Sequence, residues 1–286
     1  MSVECYPISV FPHVSRLYRD YLAMADSTAD AAVRRWYGAE PFAGKWMRSQ
    51  EKIAVADAGR LADALAQQSR EFGAGEAALA NIEKLRQGAR AVVTGQQVGL
   101  FGGPLLTFLK ASTAIARARQ ATKASGVEHV PVFWLATEDH DFAEVDQAAL
   151  LTKTSVEVLH SGMKAGAPVE VGGIALNSEI EQVLEQAGGL LEFAPVWEKL
   201  REFYAPGETM GRAFARLMAH LFAAQGLIVM DASSREFHAL GIKTLRYAIE
   251  HADELETALV KRSGELESLG YHAQVKVAEE MSLLFL

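Results

Sequence analysis

Apolar residues recur at helical spacing from about Trp46 to Phe72, where Ile53, Leu61 and Leu65 stand among Lys, Arg, Glu and Gln, and this pattern predicts an amphipathic helix. Gly73 and Gly75 interrupt it. A second, shorter helix follows with Leu79, Ile82 and Leu85 on one face and Gly88 at its end, so the two are expected to pair as a hairpin. The period then changes. ARAVVT (89–94) is a β-branched run, GQQVGLFGG reads as a loop, Pro104 opens a helix to about Ala124, and VPVFWLA (130–136) is a buried strand. Strand, helix and strand in that order form a βαβ unit with parallel strands. The same logic returns where Thr209 caps a helix through Ala224, Gly226 ends it and LIVMD (227–231) forms another strand. The economical fold class is α/β, with a doubly wound parallel core. Between these halves TSVEVLH (154–160) and PVEVGGIAL (168–176) alternate apolar and polar residues like antiparallel strands with one wet face, and helices are expected at 178–187 and 190–204. Residues 145–208 therefore read as an insertion. The stretch 235–268, with Leu240, Leu245, Ile249, Leu255 and Leu259 among dense charge, predicts one long helix weakened by Gly241 and Gly264. MSLLFL, the last six residues, is apolar where domain ends are usually polar, which suggests a chain cut inside its fold.

Composition narrows the classes of function. With 286 residues, 50% hydrophobic and 22% charged, the chain is neither disordered nor a disulfide scaffold, and its length allows one large domain or two ordinary ones. A formal charge of −8 without clustered Lys or Arg argues against nucleic acid, because neutralising phosphates needs concentrated positive charge. Small-molecule or protein partners are expected. Cys5 is the only cysteine, so no intrachain disulfide can form, as in a reducing compartment. No apolar run reaches the roughly 18 residues of a membrane span, and the N-terminus lacks the pattern of a secretory signal. These features together predict a cytoplasmic protein.

Two segments could carry chemistry. In open α/β sheets ligands bind beyond the carboxyl ends of the strands, and TGQQVGLFGGPLLTFLK (94–110) joins such an end to a helix N-terminus. Gly95, Gly99, Gly102 and Gly103 would let backbone approach a ligand, Thr94, Gln96 and Gln97 add uncharged polar groups, and Lys110 would lean back toward an anion at the helix start. The segment matches neither a P-loop nor a GxGxxG fingerprint, and the glycines could simply permit a tight turn. The second segment is EDHD, after the strand PVFWLA and so expected at the same sheet edge. In an extended backbone Glu138 and His140 face one way, Asp139 and Asp141 the other. An imidazole beside carboxylates suits acid–base work; the same residue types could hold a metal, or the acids could merely favour a helix N-terminus. Asp231 ends the third strand, where it either contacts a ligand or caps the next helix. His220, His238, His251 and His272 lack paired spacing and read as structural, and Cys5 has no activating neighbour.

TGQQVGLFGGPLLTFLK and PVFWLATEDHDFAEVD resemble the bacillithiol biosynthesis cysteine-adding enzyme family, and the likeness extends through LIVMDAS and YHAQV. The resemblance implies a Rossmann-like core with an inserted connecting-peptide subdomain and long helices forming part of a coiled coil, related in architecture to class I aminoacyl-tRNA synthetases. It divides the chain into 1–88 (a helical hairpin contributing to the coiled coil), 89–144 (the first half of the core), 145–208 (the connecting peptide) and 209–286 (the second part of the core and a long helix). Family members are longer and form dimers, so this chain resembles an N-terminal portion. The implied reaction joins the carboxyl of L-cysteine to the amine of glucosaminyl malate, with ATP and Mg2+ expected for carboxyl activation. The glycine loop and Lys110 would hold a phosphate or the malate carboxylates, and His140 or a neighbouring carboxylate would take the ammonium's proton. Two other readings remain open: a non-catalytic nucleotide or sugar-phosphate binding module, and a nucleotidyltransferase with a synthetase-like core.

Overall fold

The computed structural model describes residues 6, 12–26, 31–37, 44–49, 57–163, 169–191 and 194–275. Expectations for Cys5, Ile53 and MSLLFL lie outside these residues. The chain divides into two compact units, residues 49–240 and a second made of 1–48 with 241–286.

In the second unit, α1 (Arg16–Leu22) starts at Ser15, whose hydroxyl accepts from the amide of Tyr18. The helices α2 (Ala31–Tyr37) and α3 (Lys45–Arg48) follow. Leu17, Met24 and Val33 share an apolar cluster with Leu266 and Tyr271 from the far end of the sequence. Tyr271 also donates its hydroxyl to Asp20, at 2.6 Å.

The larger unit is built on a three-stranded parallel sheet. Before it, α4 (Ala58–Glu71) and α5 (Glu76–Arg86) form the expected hairpin, although the first helix begins at Ala58 rather than near Trp46. Strand β1 (Arg90–Gln97) is followed by α6 (Leu105–Ser125), which Gly126 ends in the left-handed conformation, and by β2 (His129–Ala136). β1 pairs with β2 in parallel from Arg90 opposite His129 to Gln97 opposite Ala136, so Gly95, Gln96 and Gln97 belong to the strand and not to the loop. That correction has a simple cause: β2 runs to Ala136, and its backbone groups pair with those three residues.

Beyond β2 come α7 (Phe142–Val145), β3 (Gln147–Leu151), β4 (Val156–His160), α8 (Glu179–Leu191), α9 (Trp197–Phe203), α10 (Met210–Leu221) and β5 (Ile228–Asp231). The β5 strand joins the free side of β2, and the sheet order is β1-β2-β5. Thr209 caps α10 as expected, accepting from the amide of Arg212.

The antiparallel pair differs from the expected one. β4 pairs with β3, whereas 171–173 forms a 3₁₀ turn. The apolar residues of that turn are spent on the core: Val171 is fully buried, and Gly172 lies where a Cβ would come within 2.4 Å of Thr137 Cβ.

The central strand explains the layers. Val130 and Val132 project to one face with Ile228, where Ala62, Leu65, Ile82 and Phe237 cover them. The apolar stripes of α4 and α5 thus pack on the sheet. Phe133 and Leu135 project to the other face, into a cluster with Ala111, Ile115, Phe214 and Leu217. Ala148, Leu159, Ile180, Leu184, Leu200 and Phe203, all from the segment expected to be an insertion, enter that same cluster. The expected single helix at 235–268 is two, α11 (Arg235–Glu250) and α12 (Ala252–Ser268). His251 breaks it by stacking on Tyr247, with ring centroids 3.9 Å apart, while its Nδ1 meets the Tyr247 carbonyl.

Candidate functional site

The parallel register carries the two predicted segments to one sheet edge, because Gln97 ends β1 opposite the end of β2, and EDHD begins two residues later. A hydrogen bond joins them: Gln97 Nε2 donates to Asp139 Oδ2 at 2.7 Å. The other carboxylate oxygen accepts from the amide of Asp141 at 3.0 Å. The Asp141 amide first, and Gln97 second, hold the Asp139 carboxyl below the usual carboxylate range, since both bonds favour its ionised form. The turn is fixed from behind as well, with the amide of Val171 donating to the Asp139 carbonyl and that of Gly172 to Thr137.

EDHD lies beyond the end of β2, with Glu138 in a turn and no residue of the four in a strand. Asp141 accepts from the amide of Glu144 and caps the short α7. Glu138 lies 3.0 Å from His238 Nε2, a partner that local spacing gave no reason to expect. His140 is exposed on the turn.

Beside this edge lies a cavity of about 400 Å³. Gln96, Gln97, Gly99, Gly103 and Pro104 form one wall, and Glu144, Val145, Gln147, Ala149 and Val158 form the other. Its polar groups are amides and one carboxylate, and no Lys or Arg lines it. The nearby ammonium of Lys110 donates back to Gln96 Oε1 at 2.6 Å and to the Gly95 carbonyl at 3.2 Å. Lys110 therefore orients Gln96.

The remaining glycines have structural work. A Cβ on Gly95 would come within 2.6 Å of the Trp134 carbonyl, and one on Gly102, at φ +95°, within 2.5 Å of Phe108. The turn between β1 and α6 is held by Tyr204, whose fully buried hydroxyl donates to the Gly99 carbonyl at 2.9 Å and accepts from the Gly102 amide at 3.1 Å. Burial pushes that phenol far above its ordinary range, so it stays protonated. Thr94 stays within β1 opposite Phe133.

Asp231 is engaged internally, accepting from Thr137 Oγ1 at 2.6 Å and from both the amide and the hydroxyl of Ser233. Thr107, in the first turn of α6, is buried, and its hydroxyl has no partner among the described residues. A Cβ on Gly103 would lie 3.6 Å from that oxygen. Among the described residues no three His, Cys, Asp or Glu side chains are grouped to hold a metal ion, and no helix is long and apolar enough to cross a membrane.

Sequence reasoning missed Glu144, Gln147 and Tyr204. Glu144 could have been suspected from its place just after EDHD, whereas Gln147 and Tyr204 reach the site through tertiary packing alone.

Comparison with known proteins adds an independent finding. The model of the N-terminal Rossmann-like domain of the bacillithiol biosynthesis protein BshC matches residues 1–286. Proteins carrying the name "Putative cysteine ligase BshC" are 42% identical to the chain in Koribacter versatilis and 33% in Solibacter usitatus, over 100% of this chain and 53% of each relative. The relative in Salinibacter ruber is 36% identical over 91% of this chain and 48% of its own length. The chain thus spans about half the length of the curated relatives it matches.

Proposed function

Since the chain belongs to the bacillithiol biosynthesis BshC family and carries that family's N-terminal Rossmann-like domain, we propose that it supplies the substrate-holding edge of a cysteine ligase. That enzyme joins the carboxyl of L-cysteine to the amine of glucosaminyl malate. The observation that carries the reading is the cavity at the carboxyl end of β1, with its amide-rich wall and single carboxylate.

Amide side chains donate and accept at once, so Gln96, Gln97 and Gln147 suit a hydroxyl-bearing substrate. Glu144 supplies the one negative charge in the lining and suits an ammonium. Preorganisation is visible in the bonds that hold these amides: Asp139 fixes Gln97, and Lys110 fixes Gln96.

Amide formation from a free carboxylate is uphill, so the reading includes ATP, which when bound would convert the cysteine carboxyl to a phosphorylated or adenylylated form. The N-terminus of α6, which follows Gly103 and Pro104 in the cavity wall, suits a phosphoryl group. In this reading Mg2+ travels with the phosphates.

The test is mass spectrometry of a reaction containing the chain, glucosaminyl malate, L-cysteine and MgATP, beside a form extended to the length of the relatives. Bacillithiol from either form supports the reading. Absence of product from both removes it and favours a non-catalytic binding module.

A further inference from the structure

The outer wall of the cavity is the hairpin β3–β4, and its register places a histidine on the cavity side. Ala148 and Leu159 face the core, while the opposite face carries Gln147 paired with His160 and Ala149 paired with Val158. Gln147, Ala149 and Val158 line the cavity, so His160 stands on the lining face, directly across from Gln147. Its side chain is 61% exposed and thus reachable by a ligand.

Its ring has a fixed neighbour. Asp146 Oδ2 lies 3.6 Å from His160 Nδ1. The other oxygen of Asp146 accepts from both the amide and the hydroxyl of Ser161, which is fully buried, and the Ser161 amide also donates to the Asp146 carbonyl. The carboxylate is therefore anchored by one oxygen and turned toward the imidazole with the other. The carboxylate stands on the Nδ1 side of the ring, beyond hydrogen-bond distance, and Nε2 is the nitrogen turned from it.

We propose that His160, oriented by Asp146, takes the proton that the amine substrate must lose before it attacks the activated cysteine carboxyl. In that step the ammonium N–H bond breaks, the proton passes to His160 Nε2, and the nitrogen lone pair becomes free. Glu144 is the one titratable group in the cavity lining, and His160 stands beside that lining, across from Gln147. An imidazole is the side chain most often used to take a proton in such a step, whereas the carboxylate in the lining suits a cation. The division of labour is thus Glu144 for holding the ammonium and His160 for deprotonating it.

The assignment rests on the ligase reading, and the experiment separates the two. Steady-state rates are measured for His160→Gln, His160→Ala and Asp146→Asn in whichever form, this chain or its extended counterpart, yields bacillithiol. The expected results are a kcat lowered at least about 100-fold in His160→Gln, KM values within about 3-fold of wild type, and partial recovery of His160→Ala by free imidazole. Asp146→Asn should lower kcat while leaving KM in place. Product from wild type together with an unchanged kcat in His160→Gln overturns the base assignment and leaves the ligase standing. A loss confined to KM, or no recovery with imidazole, also overturns it. No product from wild type in either form defeats the ligase reading and this assignment with it.

Discussion

Tyr204 is the residue on which the glycine turn depends, since its buried hydroxyl satisfies both Gly99 and Gly102. Tyr204→Phe leaves the Gly99 carbonyl and the Gly102 amide only their mutual bond of 3.3 Å, so it is expected to cost about 1 kcal/mol in urea denaturation. Gly102→Ala should destabilise too, because φ of +95° and the crowding by Phe108 both oppose a Cβ. At Asp139 the effect depends on pH. Its folded-state pKa is depressed, so its ionised form adds stability above the ordinary aspartate value of about 3.9, and this is lost as the pH falls through the folded value. Asp139→Asn should therefore lower stability at pH 7 by about 1 kcal/mol or less. Denaturation at pH 7 and near pH 3 should show the gap narrowing in acid; an equal gap at both would rule out ionisation as the cause. The candidate residues were legible to different degrees. Gln97 and Asp139 stand out because unusual polar clusters follow buried strands, but no local signal links Tyr204 to a turn a hundred residues earlier.

At the scale of elements, the apolar stripes at 58–86 were readable as helices, yet their partner was not. Leu65 and Ile82 are nearly fully buried and shared with Val130, Val132 and Ile228, so the hairpin forms one side of the sheet. Leu65→Ala should cost about 2–5 kcal/mol by leaving a cavity between helix and strand. Calorimetry would check this; a change below about 0.5 kcal/mol, as at surface positions, would show that the hairpin is not part of the cooperative core. Strand lengths were less legible than strand positions. β1 extends through Gly95–Gln97 because β2 offers backbone partners that far, a fact written in β2 and not in the residues that extend. Residues 169–176 carry an alternating pattern, but alternation records only which side chains are apolar. Here Val171 and Leu176 reach the core through a turn.

For the whole molecule, the site is assembled from parts distant in sequence: the end of β1, the start of α6, the turn after β2 and the hairpin β3–β4. Because the hairpin supplies Gln147, Ala149 and Val158 to the cavity lining, a substitution there should affect substrate use without unfolding the sheet. Gln147→Ala is expected to raise the KM for glucosaminyl malate by about 10-fold, as for one lost polar contact of about 1.4 kcal/mol. Steady-state kinetics would check it, with an unchanged KM arguing that the hairpin wall is a bystander.

Hydrophobic periodicity and glycine placement were enough to establish the α/β class, the parallel βαβ unit, the capped helix before β5 and the sheet edge at which the two polar segments meet. These are local properties, since period and turn chemistry act over a few residues at a time. The family resemblance was carried by two contiguous blocks and was legible for the same reason. Tertiary structure alone decided that Lys110 turns to Gln96, that Asp231 holds Thr137 and Ser233, that Glu138 meets His238, and that His160 faces Gln147 across the hairpin. Each of those depends on strand register and on competition among several possible partners for one polar group. That competition is settled only when burial and the backbone geometry of the whole core are imposed together.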